Sequence, residues 1–425
     1  MKDMTNPLPR ILRVRQNFPP APTLDLKEVL ETEFSKIRGH IKRGARVAVG
    51  VGSRGISNLP LIVRGVLEQL KLAGAEPFII PAMGSHGGAT PEGQTGILES
   101  LGITEDAMGV PIRASLETSE IGVSEQGAPV HCSVEAMRAD GIILINRIKP
   151  HTDFSGSLGS GLIKMCVIGL GKRAGAAAMH AAASRLGHER VIRQMARVIL
   201  RNAPILGGVA ILENQSHDTT KLLVLPREEI EIAEEGLLIE ARKLMPSLPF
   251  DEIDLLVIDQ IGKNISGAGM DPNVTGRWVQ GYSSSLAREG RPAPFIRRIF
   301  VRDLTPETHG NAIGIGLADG TTTRLVQAID RKITNLNALT SLTPQCIKIP
   351  VYFETDREGV DFMLTSLGIS DSRTARLVRA RDTLSLTQLE ISEALASEAK
   401  QNSNVTLIGG PYDLQFDDAG NLAPL

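Results

Sequence analysis

The feature that most constrains this chain is an alternation repeated through its first half: a short apolar run, a glycine-rich polar loop, then a helix-length amphipathic stretch. The apolar run 47–49 leads into the loop 50–55 and a helical pattern near 58–73. The run 78–81 leads into the loop 83–90 and a second helical pattern near 91–101. A third run, 141–146, opens the loop RIKPHTDFSGSLGSG. This order predicts an α/β fold with a mostly parallel sheet and helices on its faces. In such sheets ligands bind at the loops that follow the carboxyl ends of the strands.

The pattern restarts late in the chain. After a helix expected at 176–201, a strand at 208–212 and a helix at 228–243, the segment LMPSLPF at 244–250 has two prolines and no period. A fresh apolar run follows at 254–259. With 425 residues, too many for one ordinary domain, this predicts two α/β domains, 1–248 and 249–425, with an active-site cleft between them. Further expectations are an edge strand at 10–15, a linker at 17–24, a helix at 26–42, a helix near 385–400 and a last strand at 405–408.

Composition excludes several classes of function. A net charge of −2 gives no footprint for nucleic acid or an anionic membrane, and 3% aromatic residues leave few platforms for stacking bases. Three scattered cysteines without a CxxC pair argue against a disulfide framework and a thiolate zinc site, and fit a reducing cytoplasm. The N-terminal residues lack the apolar core of a signal peptide, and no apolar run approaches the roughly 20 residues of a spanning helix. No signature of an oligomeric state is present.

The strand-end loops carry polar residues of unusual character. GVGSRG holds Arg54. MGSHGGAT holds His86 among glycines that let backbone approach a ligand closely. RIKPHTDFSGSLGSGLIK holds His151 and Lys164, and its Gly156–Gly161 stretch has the makings of a phosphate cradle without being a P-loop. His180 lies in AAAMHAAAS, whose small neighbours leave room beside an imidazole that suits a metal. His188, roughly 12 Å farther along a continuous helix, reads as solvated. In the second half, Gln260 and Lys263 of DQIGKN suit a substrate carboxylate. The bland readings are a helix-capping His86, a surface His151 and a solvated Lys263.

Together these segments resemble the nickel-dependent lactate racemase family, over nearly the whole chain from the Arg54 loop to the Lys263 loop. In that family a loop arginine precedes a glycine-flanked histidine by about thirty residues, as Arg54 precedes His86. A second loop histidine precedes a lysine that can bond to the cofactor, matched by His151 and Lys164. The nickel-ligating histidine follows sixteen positions later, as His180 does, and the family's Gln-x-x-Lys resembles Gln260–Lys263. There are two departures: Val51 stands where the family usually has an acid, and the 151–164 stretch is slightly longer.

The resemblance implies racemisation or epimerisation of a 2-hydroxy acid through a 2-keto acid, by hydride transfer to a nickel-pincer nucleotide (pyridinium-3,5-bisthiocarboxylic acid mononucleotide with nickel). It implies dependence on cofactor-maturation enzymes. His86 and His151 would be the acid/base pair, and Arg54, Gln260 and Lys263 the substrate ligands. Lys164, His180, Gly156 and Gly161 would form the cofactor site, with His180 on nickel. Lactate, a longer aliphatic acid and a sugar acid all fit; the longer loop and the polar segment 266–277 lean towards a larger, hydroxylated one. The competing readings are a zinc-type hydrolase with His86, His151 and His180 as ligands, and a non-catalytic sugar-acid-binding protein.

Overall fold

The computed structural model describes residues 7–53, 55–152, 154–277 and 294–425. The chain forms two compact units: Pro20–Met245, and Pro246–Leu425 together with the segment ending at Pro19. The division therefore differs from the expected 1–248 and 249–425. The strand Ile11–Gln16 pairs within the sheet of the later unit, between Gln388–Ser392 and Val405–Tyr412. It is an interior strand there, and not an edge.

The unit Pro20–Met245 is built on five strands in the order Glu76–Pro81, Arg46–Val51, Gly141–Arg147, Ile205–Glu213 and Thr219–Pro226. All pairs are parallel except the last. Its central strands are apolar throughout because both faces are covered, as parallel sheets require. Val47 and Val49 face the helices Leu26–Arg38 and Leu59–Leu72, while Ala48 and Leu144 face Leu162, Met179 and Met195. Val51 pairs with both Pro81 and Ile145. Three neighbouring strands thus end nearly level, and the loops after them lie side by side.

The helix expected at 176–201 is two helices, Lys172–Leu186 and His188–Asn202. Gly187, with φ 84° and ψ 145°, breaks it. That conformation is open to glycine and costly for residues with a Cβ, so the chain can turn there while the apolar period continues on either side.

The unit containing Pro246–Leu425 carries eight strands in the order Val351–Phe353, Gly320–Thr322, Phe295–Leu304, Glu252–Ile261, Leu377–Ala380, Gln388–Ser392, Ile11–Gln16 and Val405–Tyr412. The first five run parallel and the remainder antiparallel. Where a helix near 385–400 was expected, Gln388–Ser392 is a strand and only Ala396–Gln401 is α-helical. No described helix is long and apolar enough to cross a membrane.

Candidate active site

The loop after Arg46–Val51 places Ser53 against the loop after Glu76–Pro81: Ser53 Oγ and His86 Nδ1 share a short hydrogen bond. Engagement of one ring nitrogen orients an imidazole and sets which nitrogen carries the proton. Arg54 lies outside the described residues. His86 is not the cap of the following helix, the bland alternative. Thr90 fills that place, its Oγ1 accepting from Gly93 N at 3.0 Å. The glycine at 84 has a packing reason: its φ is +62°, and a Cβ there would stand 2.9 Å from Ile168 Cγ2. The His86 loop is pressed against the segment that follows Lys164.

The third loop is closed at its base by paired backbone bonds of 2.8 Å between Lys149 and Ser160. Inside it His151 Nε2 meets Lys164 Nζ at 2.5 Å, with the ammonium donating to the imidazole lone pair. Burial, then the charge of Lys164, pushes the pKa of His151 well below its ordinary value. The ring is held neutral, with its one acceptor nitrogen engaged by Lys164. Phe154 stacks on His151 with centroids 4.4 Å apart, and His188 stacks on the Phe154 ring at 5.5 Å. The His180 ring meets His188 edge-on at 6.0 Å.

These contacts overturn the reading of His188 as solvated and about 12 Å from His180. The break at Gly187 turns it back towards the site. The signal was Gly187 itself, which the helical pattern on both sides masked. Phe154 and Ser53, ordinary loop residues by type, were likewise missed.

Lys164 ends the short helix Leu162–Lys164, which continues directly into the π-helical turn Met165–Leu170, a feature frequent at functional sites. Its start is held from below. Asn146 Nδ2 donates to Gly161 O at 2.8 Å, and the fully buried Glu234 accepts from Ile163 N at 2.9 Å. Burial lifts the Glu234 carboxyl to about 7. The glycines at 156 and 161 have a packing reason. A Cβ at Gly156 would overlap the Glu189 carboxylate, and one at Gly161 would overlap Glu234. Ser157 N also donates to Glu189, at 3.3 Å.

In the other unit, Gln260 lies near the end of the strand Glu252–Ile261, and its backbone N–H donates to Arg381 O at 2.9 Å. Lys263 Nζ donates to Asn337 Oδ1, and Lys263 N donates to Thr308 Oγ1 at 3.2 Å. The polar segment 266–277, expected to favour a larger hydroxylated substrate, is largely structural. Ser266, Asp271, Thr275 and Arg277 are buried, and Arg277 donates to Asp319 at 2.6 Å. Among the described residues no group of three or more His, Cys, Asp or Glu is arranged to hold a metal.

Comparison with known proteins places this geometry. Residues 20–191 match the family model of the lactate racemase N-terminal domain. The lactate racemase apoprotein from Thermoanaerobacterium thermosaccharolyticum superposes with a TM-score of 0.53 at 12% identity, over 88% of this chain and 99% of that one. At that identity the likeness establishes the fold. No curated protein sequence matches the chain.

Proposed function

We propose that this chain, whose residues 20–191 belong to the lactate racemase N-terminal domain family, is a racemase or epimerase of 2-hydroxy acids. The observation that carries the reading is the union of Lys164, neutral His151 and, through Phe154 and His188, His180 at the strand ends of one unit.

These residues fit a nickel-pincer nucleotide by their donor chemistry: one amine able to bond to an acyl group, and a separate imidazole for a soft divalent metal. Lys164 would tether the nucleotide and His180 would ligate nickel. When bound, the group would supply a reversible hydride acceptor for the C2 hydrogen. The protein's part is position and proton transfer. His86, oriented by Ser53, and His151, stacked on Phe154 and released at Nε2 once Lys164 is bonded to the nucleotide, take the hydroxyl proton from one enantiomer each and return it for the other. Arg54 takes the substrate carboxylate. Cytoplasmic location and loading by maturation enzymes belong to the same reading.

A zinc hydrolase is disfavoured because Phe154 and His188 intervene between His151 and His180, which does not suit three ligands on one ion. The test is turnover of enantiopure 2-hydroxy acids by protein co-expressed with cofactor-synthesis enzymes. His86→Ala and His151→Ala should each cost about 10²–10⁴ in kcat while nickel content stays at the wild-type level. Near-normal turnover in either variant rejects the two-base assignment.

A further inference from the structure

Eight residues before His180, the backbone of Lys172 adopts φ +53°. A side chain in that region is strained where glycine would not be. Yet a lysine stands here, and it is buried at 1% exposure. Both the strain and the desolvation of an amine need a return, and the contacts supply one. Lys172 Nζ donates to Pro81 O, at the end of the strand that leads to His86, and to Gln94 Oε1 at 3.2 Å. Gln94 is itself fully buried, and its Nε2 donates to Gly84 O at 2.9 Å and to His86 O at 3.3 Å.

The two backbones also touch directly. A Cβ on Gly169 would stand 2.8 Å from Ala82 O, complementing the contact of Gly84 with Ile168. Neither van der Waals contact fixes the rotation of the His86 loop, because apolar contact is not directional. The amine–amide relay does, since each hydrogen bond has a set geometry. Burial lowers the Lys172 ammonium to about 8, consistent with an amine held in place by carbonyl acceptors, with no carboxylate paired to it among the described residues.

We propose that Lys172, relayed by Gln94, is a positioning residue that fixes the His86 loop to the start of the helix carrying His180. The inference rests on the reading of His86 as an acid/base group for its catalytic consequence, but the mechanical link can be measured without it. Loss of the amine leaves Pro81 O and Gln94 Oε1 without this donor, and the loop relaxes to find other partners.

The experiment uses histidine-labelled full-length protein, with the His86 imidazole resonances identified by their loss in His86→Ala. Two variants divide the relay. Lys172→Met removes the amine. Gln94→Glu keeps an acceptor for Lys172 but loses the donor to Gly84 and His86, so it tests the link even where Lys172→Met fails to fold. The expected result is a shift of the His86 ring signals and of its tautomer pattern, with the other seven histidines unmoved. In loaded enzyme kcat should fall about 10- to 100-fold, as for a catalytic group misplaced by about 1 Å, with KM changed less than kcat. Unchanged His86 signals in folded Gln94→Glu protein overturn the proposal, as does a shift spread over all histidines, which marks a merely structural lysine. A loaded wild type that racemises nothing defeats the functional reading instead, and leaves the spectral result standing.

Discussion

The two units share α/β wiring but use their buried charge in opposite ways. In Pro20–Met245 the two charged residues buried most deeply among the described residues make no ion pair there and stand behind loops: Lys172 behind the His86 loop, Glu234 under the helix of Lys164. Glu213 of that unit pairs with Arg147. In the unit containing Pro246–Leu425 the buried Asp259, Arg302, Asp356, Arg379 and Glu390 form a continuous lattice across the sheet. Arg302 and Arg379 both bind Asp259 at 2.8 Å; Arg302 also reaches Asp356 at 2.7 Å, and Arg379 reaches Glu390 at 2.9 Å. The chain end is drawn in, with Leu422 N donating to Asp356 at 2.9 Å and Leu425 N donating to Asp259 at 2.8 Å. A balanced lattice fixes the register of strands and tail. A single buried group behind a loop strains locally and holds one reactive side chain in place. Sequence composition does not separate the two uses; only the partners do.

The largest effect that sharpens this contrast is on the lattice. Arg379→Leu removes the guanidinium shared by Asp259 and Glu390, leaving Asp259 to Arg302 and Glu390 to Tyr412, and should cost about 3–5 kcal/mol in urea unfolding. The His151 and Lys164 signals should remain unchanged. A small cost would mean that the lattice is not the cement of its unit.

Next comes Glu234. Its folded pKa of about 7 lies above the ordinary 4.5, so the native state holds the proton more tightly than the unfolded chain. The associated stability is full below about pH 4.5 and is lost as pH rises through 7, on the order of 3 kcal/mol in all. Glu234→Gln should flatten that slope: little different from wild type at pH 4.5, and more stable at pH 8, less whatever the new amide donor loses by finding no acceptor. An unchanged slope in unfolding curves across this range would assign it to other groups.

The smallest effect is at the helix break. Nothing lies within 4 Å of a Cβ built on Gly187, so Gly187→Ala pays only for its backbone, about 1–3 kcal/mol. Relief of that strain by straightening the helix would carry His188 away from His180. Thermal unfolding and the loss of the His180–His188 ring contact in nuclear Overhauser spectra check the two parts separately.

How far the sequence was legible follows from the same physics. Apolar runs bounded by glycine loops gave the strands at 46–51, 76–81 and 141–147 nearly to the residue, because double-sided burial leaves a continuous apolar signature. Pairing across the chain left no local trace. Ile11–Gln16 was read as an edge strand because its partners lie almost 400 residues away. Gln388–Ser392 was read as helix because sheet pairing overrides the propensity of the alanine- and glutamate-rich stretch after it. Among the site residues, His151 and Lys164 were named from their loops and meet in the structure. Lys172 was passed over because lysine is seldom buried, and nothing in its sequence context announces a carbonyl cage.

Under the proposed function, the unit Pro20–Met245 would move only the hydroxyl proton while the C2 hydrogen travels as hydride. The direct measurement is racemisation, in ordinary water, of an enantiopure 2-hydroxy acid deuterated at C2, by the cofactor-loaded protein. The account predicts that the inverted product keeps its deuterium. Inverted product carrying solvent hydrogen at C2 would contradict it.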